Sequence, residues 1–236
     1  VLEQTIKTNI QTIKETIQKN CELSHRDASL VNLICVSKSV DSETTKQVVD
    51  NGMIHLAENR MEKLIEKKEY LADQKQIKWH FIGNLQRRKV KSIINEIDYF
   101  HALDSFSLAN EINKRADNQI KCFVQVNVSG EESKQGLSVS EVEEFILSLS
   151  EFENISIVGL MTMAPFNASE VDLHLIFSTL NKLKVTIEEK NLNYAPCTEL
   201  SMGMSRDFGI AIQEGATFVR VGSNFFNEEG NEVAER

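Results

Sequence analysis

The stretch Leu33-Ile34-Cys35-Val36-Ser37-Lys38, followed by Ser39-Val40-Asp41-Ser42, decides how the rest of the chain is read. An apolar, β-prone run ends abruptly on an amine, and Asp41/Ser42 then supplies a helix start. Lys38 is the informative residue. An amine that closes a buried strand is costly to desolvate unless it is paired, exposed at the strand's mouth or used covalently.

The strand-then-helix pattern recurs along the whole chain. Strands are predicted at Leu33–Lys38, Ile54–Ala57, Lys78–Ile82, Tyr99–Leu103, Lys121–Val128, Ile155–Met161, Glu199–Met202 and Phe218–Val221. Helical spacing marks Glu43–Asn51, Arg60–Gln74, Gln86–Asn95, Ser107–Asp117, Ser140–Ser150, Val171–Lys190 and Arg206–Glu214. A further helix, Leu2–Asn20, precedes the first strand, with Ile6, Ile10, Ile13 and Ile17 on one face. Eight strands alternating with helices in 236 residues fit an α/β fold, a closed (β/α)8 barrel of the TIM type, which typically takes about 250. A doubly wound open sheet is the alternative, and it would have fewer strands at this length. No Gly/Ser/Pro-rich linker divides the sequence. One domain is expected: an N-terminal helical extension over residues 1–30, a barrel over 33–226 and a tail over 227–236.

Composition narrows the function. A formal net charge of −9 argues against a nucleic-acid surface, which needs a concentrated basic face. The basic cluster Arg87-Arg88-Lys89 with Lys91 reads as a solvated helix face. Cys21, Cys35, Cys122 and Cys197 are widely spaced and form no CxxC pair, as expected of free thiols in a reducing compartment. No apolar run reaches the ~20 residues of a membrane span. A cytoplasmic monomer, without membrane or metal site, is the expectation.

In a barrel of this kind the site lies at the C-terminal strand ends, with phosphate commonly held after strands seven and eight. Those two exits read Ser201-Met202-Gly203-Met204-Ser205 and Arg220-Val221-Gly222-Ser223-Asn224. Ser201 and Ser223 supply hydroxyls, and Gly222 lets backbone N–H groups approach an anion. Gly203 is expected to turn the chain into a helix beginning near Ser205-Arg206, with Ser205 as its N-cap. A phosphate cup facing a strand-one amine suggests pyridoxal 5′-phosphate (PLP) held as a Schiff base on Lys38. Arg220 then reaches the pyridine nitrogen, or else pairs with an acid inside the barrel. Another phosphorylated metabolite remains an alternative.

Seven motifs in chain order resemble the YggS/PROSC family of PLP homeostasis proteins. They are VSK at Val36–Lys38, ENR at Glu58–Arg60, WHFIGNLQ at Trp79–Gln86, NVSGEESKQG at Asn127–Gly136, GLMTM at Gly159–Met163, LSMGMSRD at Leu200–Asp207 and VRVG at Val219–Gly222. The resemblance runs from about Leu33 to Phe226. It implies the fold-type III PLP barrel shared with the N-terminal domain of alanine racemases. It implies that Lys38 carries PLP, that Ser201, Gly222 and Ser223 hold the phosphate, that Arg220 faces the pyridine nitrogen, and that Asn59 and Met161 lie near the ring. The chain departs from the pattern at Leu56-Ala57, where a glycine turn is usual, at Arg87-Arg88, and at Asn227, where a glycine commonly follows the last phenylalanine.

An arginine donates only, so Arg220 would leave the pyridine nitrogen unprotonated and the ring a weaker electron sink. Racemisation in the related enzymes also needs a second base, a tyrosine from an added domain. Tyr70, Tyr99 and Tyr194 all fall away from the strand exits. The sequence therefore favours a PLP carrier, with apo PLP-dependent enzymes as recipients, over an amino-acid racemase. His80 and His101 are expected to face one another inside the barrel, Trp79 to sit between barrel and helices, and Lys134 to lie on a loop.

Overall fold

The computed structural model describes residues 3–132 and 135–228. Eight parallel strands close a barrel in simple sequential order, the last pairing with the first. They are β1 (Asn32–Val36), β2 (His55–Glu58), β3 (Lys78–Phe81), β4 (Tyr99–Leu103), β5 (Ile120–Gln125), β6 (Ile155–Met161), β7 (Glu199–Met204) and β8 (Phe218–Val221). The helices are α1 (Glu3–Leu23), α2 (Ser42–Asp50), α3 (Met61–Tyr70), α4 (Val90–Ile93), α5 (Phe106–Arg115), α6 (Val142–Leu147), α7 (Glu170–Glu188) and α8 (Phe208–Gln213). A closed barrel leaves no sheet edge to protect. The predicted single (β/α)8 domain is thus the observed architecture.

Strand alternation sorts side chains between two cores. Ile34, Val36, Ala57, Phe123, Met161 and Phe218 fill the bore. Cys35, Leu56, Trp79, Phe100, Leu160, Leu200 and Val219 face outward and pack under the helices. Trp79 therefore lies between barrel and helix layer, as its sequence position suggested. All four cysteines are buried and free.

The first helix does more than extend the chain. Ile6, Ile10, Ile13 and Ile17 are buried along one face, and α1 packs between α8 and α2. Among the described residues only a short 3-10 turn, Ser223–Phe225, follows β8, and α1 packs against that turn and against α8. Asn9 holds that join by donating Nδ2 to the carbonyls of Phe225 (2.9 Å) and Asn227 (3.0 Å). At its other end Arg26 donates Nη1 to Ile212 O (2.6 Å) and Ala216 O (2.9 Å).

Several elements differ in their bounds from the sequence expectation. β1 stops at Val36, and Lys38 sits in the following turn. β5 stops at Gln125, and Val126 goes on only as an isolated bridge to Leu137. The predicted helix Gln86–Asn95 is broken into 3-10, α and 3-10 turns, since the β-branched run Val90, Ile93, Ile94 comes with no side-chain cap. Last, β7 continues through Gly203, which takes φ +101°, and α8 begins only at Phe208. A Cβ at Gly203 would sit 2.7 Å from the Ala211 side chain, so glycine is needed there for both reasons.

Candidate functional site at the barrel mouth

Strand β1 ends on a polar clamp. Ser37 is fully buried and turned outward, where its Oγ donates to Glu58 Oε1 at 2.9 Å. Lys67, from α3, donates to the same carboxylate oxygen and to the Ser37 carbonyl. Both charged residues are almost wholly buried. Lys38 follows in the turn after β1 and is exposed. Lys38 is therefore an exposed residue beyond the C-terminal end of β1 rather than a buried one.

Strand β8 lies beside β1, in the register Ile34↔Arg220 and Cys35↔Val221. This places Gly222 next to the end of β1, and a Cβ there would come 3.4 Å from Val36 O. The Gly222 N–H donates to Ser205 Oγ at 3.1 Å, and Asn224 Nδ2 donates to Ser205 O at 3.4 Å. The loops after β7 and β8 are thus joined through Ser205. Ser205 does not cap α8: Asp207 occupies that position and accepts the Met204 N–H at 2.7 Å. Ser223 is exposed and opens the 3-10 turn.

Arg220 lies beneath this cup. It donates Nη1 to Ser201 Oγ and Nη2 to Thr162 O (3.0 Å), and it is 2% exposed. Burial pushes its guanidinium down to about 10, and the nearby Asp207 carboxylate opposes that shift. Asp207 itself is pushed up by its own burial. Ser201 is fully buried, and its Oγ also meets His101 Nδ1 at 2.8 Å. Its hydroxyl is thus committed inside the barrel, below the level of Ser205.

The remaining sequence candidates spread around the rim. Met161 closes β6 at 1% exposure, within the apolar cluster of the bore. Asn59 follows β2 and is exposed, and its carbonyl lies where a Cβ on Gly83 would collide at 2.4 Å. Lys134 lies outside the described residues. His80 and His101 do face one another, with Nδ1 and Nε2 at 2.8 Å. Sequence reasoning missed the Ser205 link between the two loops because a serine before a helix reads as a cap. It passed over Lys67 because LysLys within a charged helix reads as a solvated face. Among the described residues no group of three or more His, Cys, Asp or Glu side chains is placed to hold a metal ion.

Residues 3–228 match the family described as alanine racemase, N-terminal domain. The chain is 36% identical over 222 residues to the pyridoxal phosphate homeostasis protein of Aquifex aeolicus, covering 93% of this chain and 96% of that one. It belongs to the pyridoxal phosphate homeostasis protein family. Two solved structures share the barrel. One is a protein from Bifidobacterium adolescentis, with TM-score 0.91, 29% identity and coverage of 96% of this chain and 98% of that one. The other is PipY of Synechococcus elongatus with PLP bound, with TM-score 0.79, 28% identity and coverage of 90% and 100%. The homeostasis relative and the PLP-bound PipY structure are thus matched over most of their own length.

The mouth fits PLP by its own chemistry. It offers an exposed amine for an aldehyde, hydroxyl and amide donors for a phosphate, and a buried cationic donor for a ring nitrogen. At the end of β5, Gln125 Oε1 is buried without a partner among the described residues, a polar atom left over at the level of Met161.

Proposed function

We propose that this chain binds PLP at the barrel mouth, linked through Lys38, and serves to hold the cofactor and pass it on without turning over a substrate. The observation that carries this reading is the Gly222 N–H on Ser205 Oγ, beside the end of β1 and above Arg220. Bound there, PLP supplies an aldehyde to which the Lys38 amine joins. Ser205, Gly222 and Ser223 hold the phosphate in this arrangement. Ser201, first assigned to the phosphate, instead orients Arg220 toward the ring nitrogen through its buried hydrogen bond. Met161 and Asn59 border the ring.

The tyrosines support holding over catalysis. Tyr99 opens β4 at the lower end of the bore, Tyr194 precedes β7 on the same side, and Tyr70 ends α3 in solvent. None reaches the mouth to act as a second base. We place the chain in the cytoplasm as a monomer that supplies apo PLP-dependent enzymes, in keeping with its four unpaired thiols.

Lys38→Ala tests the reading. Lys38 is exposed, so the variant should fold normally. Wild type incubated with PLP is expected to gain visible absorption, and borohydride followed by peptide mapping to place the adduct on Lys38. An unchanged visible band in Lys38→Ala would show that another residue is the anchor.

A further inference from the structure

A string of polar side chains crosses the bore of the barrel, and cofactor binding as described uses only its upper end. His55 Nδ1 meets His80 Nε2 at 2.8 Å, His80 Nδ1 meets His101 Nε2 at 2.8 Å, and His101 Nδ1 meets Ser201 Oγ at 2.8 Å. Arg220 Nη1 donates to that same hydroxyl oxygen. His80, His101 and Ser201 are fully buried, while His55 is half-buried at the start of β2, on the lower side of the barrel. Aromatic neighbours hold two of the rings in plane. His80 stacks on Tyr99 (centroids 4.4 Å, 4°) and His101 on Phe123 (4.5 Å, 22°).

The hydrogens in this string have one consistent direction. Arginine can only donate, so Ser201 Oγ accepts from Arg220. The single hydroxyl proton of Ser201 then goes to its other partner, His101 Nδ1. With Nδ1 accepting, neutral His101 carries its proton on Nε2 and donates to His80 Nδ1. His80 likewise donates from Nε2 to His55 Nδ1, and the His55 Nε2–H is left as the free end. A second proton on His80 would set its Nδ1–H against the His101 Nε2–H, and one on His101 would turn the Ser201 hydroxyl proton away from its acceptor, so the ordered column keeps both rings neutral.

The surroundings agree. Burial holds His80 and His101 well below the usual imidazole range, with His101, His55 and Lys121 also acting on His80, and Arg220 and His55 on His101. His55 is lowered by burial, Lys78 and Lys121, against the opposing charge of Asp98.

We propose that His101, His80 and His55 are positioning residues for Arg220: a one-directional column, protonated throughout at Nε2, that keeps the Ser201 lone pairs turned to the guanidinium. The column thereby fixes which donors Arg220 presents at the mouth, and its order is anchored on the opposite side of the barrel. Its consequence for the cofactor rests on the PLP reading above, whereas its tautomers do not.

The test is ring-nitrogen NMR of the full chain labelled in histidine, cofactor-free and loaded with PLP. His80 and His101 are expected to show a protonated Nε2 and a bare Nδ1 in both states, across the range in which free imidazole titrates. Ser201→Ala removes the source of direction and should mix or reverse both tautomers, while Ser201→Thr, which keeps the hydroxyl, should restore them. His55→Phe keeps a ring in the stack but removes the last acceptor. It should disturb the signals of His101, two rings away, and speed PLP release about five-fold, the size of one neutral hydrogen bond.

An Nδ1-protonated His80 or His101 in cofactor-free wild type would overturn the column, as would unchanged tautomers in Ser201→Ala. Normal PLP binding with unaltered His101 signals and release in His55→Phe would also overturn it and leave PLP binding intact. An ordered column in a chain that takes up no PLP would instead overturn the cofactor reading and the column's role at the mouth, leaving only the tautomers.

Discussion

Replacing Lys67 by methionine should destabilise this protein far more than a lysine substitution on a helix surface would. Lys67 is 1% exposed and Glu58 0% exposed, and their ion pair sits between α3 and the ends of β1 and β2. The amine also holds the Ser37 carbonyl. In Lys67→Met the carboxylate stays buried with only the Ser37 hydroxyl as donor, and Glu58 Oε2 has no partner among the described residues even in the intact pair. Stranding one member of a buried pair costs about 3–5 kcal/mol, out of a total of about 5–15 kcal/mol for a domain. At about 2–4 °C per kcal/mol for a chain of this size, the melting temperature should fall by roughly 10 °C.

The pair as a whole is expected to contribute little, because desolvation offsets most of the Coulomb attraction. The double variant Glu58→Leu/Lys67→Met should therefore recover most of the loss. Urea unfolding of wild type, both single variants and the double variant measures the cycle. A Lys67→Met variant within about 1 kcal/mol of wild type would refute the reasoning, and so would a double variant no better than the single.

Two further outcomes follow from buried groups and tight packing. His80 and His101 have folded-state values depressed by burial, so below about pH 6.5 the unfolded chain binds protons that the folded chain refuses. Stability should be flat above that point and fall as pH drops towards 5, by up to about 1.4 kcal/mol per pH unit for each ring, and melting temperatures at pH 7.5, 6 and 5 would show it. Gly159→Ala puts a Cβ 2.0 Å from Glu199 O, inside the β6–β7 ladder. The backbones cannot part without losing ladder bonds, so thermal unfolding should register a loss of about 1–3 kcal/mol or more.

The barrel was legible because strands such as β6 and β8 are short apolar runs rich in β-branched or aromatic residues, and the long first helix carries a periodic apolar stripe. Boundaries failed where one residue changes the local rule. Gly203 supplies a left-handed step that lets β7 run on, which a pattern reading takes for a helix start. Lys38 stood out in the sequence as an amine after an apolar run, but its exposure did not. Ser37, just before it, faces Glu58 and Lys67, which only the folded register brings together. The facing of His80 and His101 followed from strand alternation in neighbouring strands. His55 and Ser201, which turn that pair into a column, come from strands whose registers the sequence does not state.

The pairing of β1 with β8 has a consequence for the order in which the protein would acquire the proposed site. Lys38 follows the first strand, while Ser205, Gly222 and Ser223 follow the last two. During synthesis the amine emerges long before the cup, and the two meet only when β8 docks and α1 settles across the Ser223–Phe225 turn. Cofactor capture should therefore report completed ring closure, and a chain arrested before β8 should leave Lys38 as an ordinary surface amine.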